Sequence, residues 1–479
     1  MRNAPLVGGK IRLTRDVMPV LNPYDGTIIG EVGKSDERVV EEAVAAAVSG
    51  FELSKTLTRS ARARILKKAS ELILSREDEI ARVITLEVGK TINEARGEVR
   101  RCANTLLLSS EAAKKLAGCE IPFDAAENGE RKWGFFARVP AGPVVSIVPF
   151  NFPLNLAAHK VGPAIAAGCS IIIKPASKTP FSAFILAESL LEAGLPPEII
   201  SVVPGPGSSV GEMLVRSEGV RVITFTGSAA VGKRISRLAG LKKLTMELGS
   251  NSGVLILDDA TIPLAASKVR KGAFALAGQV CISVQRVYVQ RQVYQRFLDE
   301  LIPQVKSIRM GNPMLQTTDM GPIIDKANLS RITELVQQTL SSGGKIVTGG
   351  HPRGNFFEPT VITNVREDMP IVRDEAFAPV VVVNPVDSFE EGVSRLANSR
   401  YGLQAGLFTK DIELAREAFN RIDAGGVWVN EVPTFRTDLM PYGGVKDSGI
   451  GREGPEYAIE SMTEIKLFGV NRLGGHRQG

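Results

Sequence analysis

Two patterns of hydrophobic and polar residues follow one another along the chain. In the first part, apolar residues recur every three or four positions while Arg, Lys and Glu occupy the other faces, which predicts helices within 36–51 and 59–118. From residue 143 onward, short β-branched runs alternate with helical segments. This alternation is typical of a parallel sheet with helices on both faces. The pattern therefore predicts an α/β fold.

The alternating pattern occurs on both sides of residue 250, which favours two Rossmann-like parallel-sheet domains. Helices are expected at 154–166 and 180–193. Before residue 250 the predicted strands are PVVSIVPF, SIIIKP, IISVVPG, VRVITFTGS and KLTMELG. After it they are GVLILD, RVYVQ, FFEPTVITNV, APVVVVNPV, QAGLFTK and GGVWVN.

One segment interrupts both patterns. Asn128-Gly129 lies between the β-prone runs EIPFDAA and ERKWGFFARVP, and Asn-Gly in that position predicts a β-hairpin. The late run TEIKLFGV at 463–470 is predicted to be a strand that returns to this hairpin. Because an open strand edge tends to pair with another chain, we expect a partner subunit to cover the projecting hairpin.

Composition and charge exclude several classes of protein. The 479 residues suffice for two or three domains, and 44% hydrophobic with 23% charged residues is ordinary for a globular chain. The net charge is +6, but basic residues are scattered among acidic ones, so no nucleic-acid partner is expected. No run approaches the roughly 18 apolar residues of a membrane helix, and the amino terminus has no secretory signal, so no membrane association is expected.

The four cysteines, Cys102, Cys119, Cys169 and Cys281, form no CxxC pair, and the three histidines are not at metal-ligand spacing. Neither a disulfide framework nor a metal site is therefore predicted. Free thiols in a large chain suit a reducing compartment, and we expect the protein to be cytoplasmic.

The run AGQVCISVQ places Cys281 among small and polar residues, and it follows MELGSNSG, which contains Glu247. Cysteine is intrinsically very nucleophilic near neutral pH. A glutamate that accepts a proton can help to hydrolyse a covalent intermediate formed on it. The alternatives are a buried cysteine that packs as a small hydrophobe and a surface glutamate in an ion pair.

Three further residues have two interpretations each. Asn151 follows a strand and could donate to an oxyanion or cap the next helix. Lys174 ends a strand at the edge where ligands bind in parallel sheets, or it is simply solvated. Gly227 precedes a helix whose first N–H groups could bind a phosphate, or it only permits a tight turn.

Seven blocks in order along the chain form a distinctive set. They are PFNFP at 149–153, KPAS at 174–177, FTGSAAVG at 225–232, MELG at 246–249, GQVCIS at 278–283, DEAFAPV at 374–380 and PYGGVKDSGIGREG at 441–454. In order and spacing they resemble the aldehyde dehydrogenase superfamily along nearly the whole chain. The sequences of the blocks are most similar to its lactaldehyde and non-phosphorylating glyceraldehyde-3-phosphate dehydrogenase-like branch. The resemblance implies an NAD(P)-dependent, non-acylating enzyme that oxidises an aldehyde to a carboxylic acid.

The resemblance also implies a role for each site residue. Cys281 is the nucleophile, Glu247 activates the hydrolytic water, and Asn151 with the Cys281 N–H holds the oxyanion. The residues that bind the cofactor are Phe150, Lys174, Ser177, Gly227, Ser228, Glu375 and Phe377. Ser177 stands where members strict for NAD often have a glutamate, so a 2′-phosphate would not be repelled, and NADP or both NADP and NAD should be used.

The same resemblance implies what each predicted domain does. A cofactor-binding domain comprises 1–117 and 141–249, and a catalytic domain comprises 250–446. An oligomerisation hairpin and strand lie at 118–140 and 463–473, and 447–462 returns to the cofactor-binding domain. A homodimer or homotetramer is expected.

Arg101, His159 and Arg436 are the candidates for substrate contacts, with a surface or structural role as the alternative for each. Val280 precedes the nucleophile, where members that use phosphorylated or phosphonate aldehydes often have an arginine. We expect a small hydroxyaldehyde such as lactaldehyde, glyceraldehyde or glyceraldehyde 3-phosphate. The alternative is another anionic aldehyde, such as a semialdehyde or phosphonoacetaldehyde.

Three other classes compete with this interpretation. A cysteine hydrolase without a redox step would need a histidine such as His159 near Cys281. A CoA-acylating dehydrogenase usually lacks a glutamate at the position of Glu247. A catalytically silent protein on the same fold should have lost Cys281 or Glu247, and both are present.

Overall fold

A computed structural model describes residues 1–472, and it contains the helices that the apolar periodicity predicts. The helices are α1 Glu37–Thr56, α2 Arg59–Ser75, α3 Glu77–Val88, α4 Ile92–Lys115, α5 Asn155–Ala167, α6 Phe181–Glu192, α7 Glu212–Arg216, α8 Ala229–Leu238, α9 Ile262–Phe274, α10 Arg291–Lys306, α11 Lys326–Ser341, α12 Pro370–Arg373, α13 Phe389–Ala397, α14 Ile412–Arg421 and α15 Pro455–Ser461.

The strands alternate with these helices after α4. They are β1 Arg2–Asn3, β2 Leu6–Val7, β3 Lys10–Ile11, β4 Val17–Leu21, β5 Ile28–Gly33, β6 Cys119–Glu120, β7 Lys132–Pro140, β8 Val144–Ile147, β9 Ile171–Lys174, β10 Ile200–Val202, β11 Val222–Thr226, β12 Lys243–Glu247, β13 Gly253–Ile256, β14 Arg286–Gln290, β15 Lys345–Thr348, β16 Pro352–Arg353, β17 Phe356–Phe357, β18 Thr360–Thr363, β19 Val380–Val386, β20 Tyr401–Gly402, β21 Gln404–Phe408, β22 Gly426–Val429, β23 Val445–Lys446, β24 Gly449–Ile450 and β25 Thr463–Asn471.

Local signals divide the helical segment 59–118 into α2, α3 and α4. Gly89 ends α3 with a φ of 79°, and an added Cβ there would lie 2.8 Å from Cγ of Pro322, so only glycine fits. Thr91 then caps α4, and Glu94 completes a capping box with it. The chain therefore turns between α3 and α4 instead of continuing as one rod.

Two parallel sheets form the centre of the molecule, as the alternating pattern predicts. The first has the order β24-β12-β11-β8-β9-β10-β2-β3, and its five central strands are parallel. The second has the order β15-β18-β19-β14-β13-β21-β22, with only β15 antiparallel. The α/β class with two parallel sheets is confirmed.

The segment that carries Cys281 packs against the first sheet's apolar core although it follows α9 of the second sheet. Leu276, Val280 and Ile282 belong to the same buried cluster as residues of α2, α4, α5 and α6. Cys281 thus lies at the junction of the two sheets, where both can contribute side chains.

The predicted hairpin is present, and the connection between its strands is longer than the two-residue turn that Asn-Gly often forms. β6 pairs with β7, with Cys119 opposite Phe136, and the connection between them is long and contains a 3₁₀ turn at Phe123–Ala125. Asn128 has a φ of 64°, whereas Gly129 is not among the residues with positive φ. Asn128-Gly129 therefore lies in the connection of the predicted hairpin, but it does not form a two-residue type I′ turn, which needs positive φ at both positions.

The prediction that 463–470 returns to the hairpin is confirmed. β25 pairs antiparallel with β7 from Thr463 opposite Pro140 to Asn471 opposite Lys132. The end of the predicted 463–473 element, residue 473, lies outside the described residues. Several large apolar side chains of this small sheet are exposed, namely Trp133, Phe135, Ile465, Leu467, Phe468 and Val470. Coverage by a partner subunit stays a prediction.

None of the helices in residues 1–472 combines the length and the apolar character that crossing a membrane requires.

Candidate active site

A cavity of about 640 Å³ lies between the carboxyl ends of the first sheet's strands and the loops of the second sheet. β8, β9, β11 and β12 all end at its wall, because parallel strands direct their carboxyl ends to one edge. The predicted site residues that line it are Arg101, Phe150, Asn151, Lys174, Gly227, Ser228, Glu247, Cys281, Glu375, Phe377 and Arg436. Residues far apart in the sequence therefore face one space.

Two predicted site residues do not line this cavity. Ser177 lies beside it, where its hydroxyl donates to the carbonyl of Gly205 at 3.1 Å. His159, predicted to face the substrate, is 1% exposed and lies behind the wall, with Nε2 2.9 Å from Oδ1 of Asp438. Burial lowers the pKa of His159 to about 4, so a neutral imidazole donates to this carboxylate. The expectation that His159 points into the cavity is corrected.

Cys281 is half-buried in the cavity wall, and the segment that precedes it has an unusual backbone conformation. Leu276 and Ala277 have φ values of 48° and 52°, and Gly278 has 68°, three left-handed residues in succession. An added Cβ at Gly278 would collide with the carbonyl of Ala378. Such strained segments concentrate at functional sites. The thiol sulfur lies 3.2 Å from the hydroxyl of Tyr442.

The acidity of Cys281 predicts how it reacts with an alkylating reagent. Burial raises the pKa of this thiol to about 11, although the Tyr442 hydrogen bond and the Arg436 charge act in the opposite direction. Because only the thiolate reacts, we expect alkylation by iodoacetamide to accelerate about tenfold per pH unit from neutral to alkaline pH. Mass spectrometry of the Cys281 peptide measures the rate separately from exposed Cys119. A plateau that begins near neutral pH would contradict the expectation.

Glu247 is the last residue of β12 and is 2% exposed. Neither of its carboxylate oxygens has a hydrogen-bond partner among residues 1–472. Burial and the nearby charge of Glu453 raise the pKa of Glu247 well above its usual range. Glu247 thus ionises at higher pH than an ordinary glutamate and lines the same cavity as the Cys281 thiol. These are the properties of a general base.

Asn151 is positioned by a buried ion pair that was not predicted. Lys90 Nζ donates to Glu98 Oε2 at 2.6 Å and to the backbone carbonyl of Asn151 at 2.9 Å. The Asn151 amide nitrogen donates to the carbonyl of Gln279 at 2.9 Å, which leaves its second N–H for another acceptor. Asn151 is not a helix cap, because Glu98 accepts the N–H groups at the start of α5.

Glu375 and Phe377 also line the cavity. Glu375 accepts a hydrogen bond from the Ser250 N–H at 3.1 Å, and burial raises its pKa to about 7. Its carboxylate packs against Gly249 so closely that an added Cβ would collide with it. Phe377 has a φ of 46°, and its ring meets Phe150 edge to face at 5.9 Å. These contacts fix a carboxylate and two rings in the cavity wall.

Another part of the cavity wall suits a phosphate-bearing ligand. α8 begins there directly after Gly227 and Ser228, and Ser228 caps the helix by accepting the Val231 N–H at 3.4 Å. The first N–H groups of a helix attract anions. Lys174 is 4% exposed, has no ion-pair partner among residues 1–472, and burial lowers its pKa to about 8. A cation without a carboxylate partner, in the same cavity wall as a helix amino terminus, fits an anionic cofactor.

The two predicted arginines line the cavity, and each has a carboxylate partner. Arg101 Nη2 lies 2.7 Å from Asp438 Oδ1, and Arg436 Nη2 lies 3.0 Å from Glu453 Oε2. The side chain of Arg101 is 31% exposed and that of Arg436 is 7% exposed. Nε of each is buried without a partner among residues 1–472. Arg101 is therefore the more accessible cation of the two.

A sequence model of the aldehyde dehydrogenase family matches residues 12–468. The chain is 44% identical over 465 residues to 3-sulfolactaldehyde dehydrogenase of Priestia aryabhattai, a match that covers 97% of each chain. Among solved structures it is similar to aldehyde dehydrogenase 21 from Physcomitrella patens in complex with the reaction product succinate, with 37% identity, 99% coverage of both chains and a TM-score of 0.96.

A second solved structure matches almost as well. Glyceraldehyde-3-phosphate dehydrogenase GapN from Methanocaldococcus jannaschii, complexed with NADP, is 35% identical, with 96% of this chain and 100% of that chain covered and a TM-score of 0.92. These matches confirm the resemblance to the lactaldehyde and glyceraldehyde-3-phosphate dehydrogenase-like branch.

Proposed function

The chain belongs to the aldehyde dehydrogenase family, enzymes that use NAD or NADP, and on that premise we propose that it oxidises a small anionic hydroxyaldehyde to the acid through a thioester on Cys281. One observation carries the proposal. Cys281, Glu247 and Asn151 line the same cavity as Arg101 and Arg436. A nucleophile, a base, an amide donor and two cations are thus available to one small molecule.

The first step forms a covalent adduct. The Cys281 thiolate adds to the aldehyde carbon, and the carbonyl π electrons move to oxygen. The free N–H of the Asn151 amide and the backbone N–H of Cys281 are the donors that stabilise this oxyanion. Neutral donors stabilise the developing charge without protonating the oxygen, so the adduct can still expel a hydride.

The second and third steps convert the adduct to the acid. When bound, the nicotinamide ring supplies the hydride acceptor that no side chain can provide. Loss of the hydride leaves a thioester on Cys281. Glu247 then accepts a proton from water, the resulting hydroxide adds to the thioester carbon, and the thiolate of Cys281 leaves. Because burial raises the pKa of Glu247, this step should accelerate as the pH rises.

Two groups of residues in the cavity wall would hold the cofactor. The amino terminus of α8 and Lys174 suit its phosphate-bearing half, and Glu375 with Phe377 suits its nicotinamide ribose and ring. Ser177 contributes no carboxylate beside Lys174, so a 2′-phosphate meets no nearby repulsion at that position. We propose that NADP is accepted, alone or together with NAD.

Two similarities support an anionic substrate. The relative from Priestia is named for a sulfonated lactaldehyde, and the Physcomitrella structure holds the dicarboxylate succinate. In this chain Arg101 is the accessible cation, and Asp438 fixes one of its nitrogens while Nε stays without a partner. Arginine binds carboxylate, sulfonate and phosphate well because its planar fork offers several donors.

Arg101→Ala is expected to separate anionic from neutral substrates. Loss of the charged hydrogen bonds should raise KM for 3-sulfolactaldehyde or succinic semialdehyde about 10- to 100-fold while KM for lactaldehyde changes little. Steady-state kinetics with each aldehyde measure this. The matched control is Arg100→Ala, because Arg100 directly precedes Arg101 in α4 and its exposed side chain pairs with Glu77 instead of lining the cavity. Unchanged catalytic efficiency on every anionic aldehyde would remove Arg101 from the substrate site.

The proposed function is tested by the absorbance of reduced nicotinamide with NAD or NADP. The aldehydes are lactaldehyde, 3-sulfolactaldehyde, glyceraldehyde 3-phosphate, succinic semialdehyde and a simple aliphatic aldehyde. We expect the highest catalytic efficiency with an anionic hydroxyaldehyde and a signal with NADP. Equal efficiency on the aliphatic aldehyde would contradict the substrate class.

Two rival activities have distinct signatures in the same assay. A cysteine hydrolase would release product without nicotinamide, but its required histidine, His159, is bound to Asp438 and does not line the cavity. A CoA-acylating enzyme would need CoA for product formation, and the presence of Glu247 in the cavity wall argues for water instead. The homo-oligomer, with the β7 and β25 sheet as its contact, remains part of the proposal.

A further inference from the structure

Tyr442 is a buried residue of the cavity that the mechanism above does not use. Its hydroxyl oxygen lies 3.2 Å from the sulfur of Cys281, and the residue is 1% exposed. We propose that Tyr442 is a catalytic residue whose hydroxyl donates a hydrogen bond to the Cys281 thiolate and thereby determines how readily the thiol ionises. The proposal rests on the proposed function only in taking Cys281 as the nucleophile.

The backbone around Tyr442 holds the hydroxyl in place. Tyr442 and Glu453 exchange two backbone hydrogen bonds, with N–H to carbonyl distances of 3.0 and 2.6 Å. The next residue, Gly443, touches the general base, since an added Cβ there would lie 2.8 Å from Oε1 of Glu247. One short segment therefore contacts both the nucleophile, through Tyr442, and the base, through Gly443.

A side-chain contact fixes the ring of Tyr442 as well. The guanidinium of Arg436 lies 3.7 Å from the centre of the ring, and its Nη2 is bound to Glu453 Oε2. Lys160 bonds the same carboxylate and the hydroxyl of Thr226, so Glu453 is itself held on both sides. A cation over the ring face attracts the ring and withdraws electron density from the phenol. The stacked Arg436 thus orients Tyr442 and strengthens its O–H as a donor.

The direction of the hydrogen bond follows from the two acidities. Burial and the adjacent Cys281 raise the pKa of Tyr442 well above its usual value, so the phenol keeps its proton where the thiol ionises. A thiol is a weak donor, whereas a phenol donates well to a thiolate. The proton therefore stays on Tyr442 oxygen throughout, and the bond stabilises only the ionised sulfur.

The other charged groups that face Cys281 do not replace this contact. The charge of Arg436 lowers the pKa of the thiol, while Glu375 and Glu247 raise it. No other hydrogen bond to the sulfur of Cys281 is formed by residues 1–472. Removal of the hydroxyl alone should therefore leave the thiolate without a donor and with the same surrounding charges.

Tyr442→Phe tests the proposal, because phenylalanine retains the ring, its packing and the face that Arg436 covers. The readout is the pH profile of Cys281 alkylation by iodoacetamide in the cofactor-free enzyme, with thiolate ultraviolet absorbance as a second titration. We expect the thiol to titrate at higher pH, so that alkylation at mildly alkaline pH slows about tenfold. The matched control is Tyr457→Phe, since Tyr457 is 38% exposed, and its profile should equal that of the wild type.

The outcomes separate this proposal from the proposed function. Alkylation needs neither aldehyde nor nicotinamide. A wild type that oxidises no aldehyde would therefore overturn the proposed function without affecting the interpretation of the Tyr442→Phe alkylation profile. An unchanged pH profile in Tyr442→Phe, with unchanged thermal unfolding, would overturn the role of Tyr442. If the variant unfolds at a lower temperature, the thiolate is titrated below that temperature. Loss of a purely structural contact would not raise the pKa of Cys281, so a raised pKa would still support the role of Tyr442.

Discussion

Replacement of Cys281 by serine is expected to reduce aldehyde-dependent formation of reduced nicotinamide by about three orders of magnitude or more. A serine hydroxyl is a far weaker nucleophile than a thiolate, and the described residues offer no histidine in the cavity wall to activate it. Because the substitution only exchanges the sulfur of Cys281 for an oxygen, binding of the cofactor should persist. The measurement is the steady-state rate with the best aldehyde of the panel.

The chain supplies its own control for this substitution. Cys119 is the one exposed thiol among the four cysteines, and it lies in β6 of the hairpin, away from the cavity. Cys119→Ser should retain wild-type activity. Substantial residual oxidation in Cys281→Ser, together with a loss in Cys119→Ser, would mean that the nucleophile has been assigned to the wrong cysteine.

Replacement of Glu247 by glutamine is expected to stop turnover after one cycle. The thioester should still form, because that step needs only the thiolate, the oxyanion donors and the bound nicotinamide. Hydrolysis should slow about 10²- to 10⁴-fold, since glutamine has similar size but cannot accept a proton from water. Rapid mixing should therefore show a burst near one equivalent of reduced nicotinamide per site, followed by a very slow steady state.

A small external nucleophile provides the control for Glu247→Gln. Hydroxylamine attacks thioesters without help from a base, so its addition should restore turnover of the variant and form the hydroxamate. The wild type offers a further check. Because burial raises the pKa of Glu247, its steady-state rate should rise with pH as Glu247 loses its proton. If Glu247→Gln lacked the burst as well as steady-state turnover, Glu247 would act in thioester formation instead of hydrolysis.

The parallel-sheet architecture was predictable because each strand had its own apolar run and each run was followed by a helix. The same regularity located much of the site: Lys174 and Glu247 are the last residues of β9 and β12, and the carboxyl ends of parallel strands share one edge. Cys281 required the family resemblance, since its loop packs against a sheet to which its neighbouring strands do not belong. Local patterning contains no signal for that packing.

The contacts that were missed join residues distant in sequence. His159 lies on α5 with the spacing of a cavity-facing residue, but Asp438 binds it behind the wall. The Lys90–Glu98 pair, which holds Asn151, consists of residue types that are usually exposed, yet both side chains are fully buried. Tyr442 stood within a block that the sequence already singled out, and its unusual feature, a hydroxyl beside the nucleophile, emerges only from the tertiary structure.

The thioester on Cys281 is the central claim, and mass spectrometry of Glu247→Gln tests it most directly. The variant would be mixed with NADP and an anionic hydroxyaldehyde, quenched in acid and digested. The account predicts that the peptide containing Cys281 gains the mass of the aldehyde less two hydrogens, as oxidation to an acyl group requires. A gain of the whole aldehyde mass, or an adduct on another residue while reduced nicotinamide forms, would contradict it.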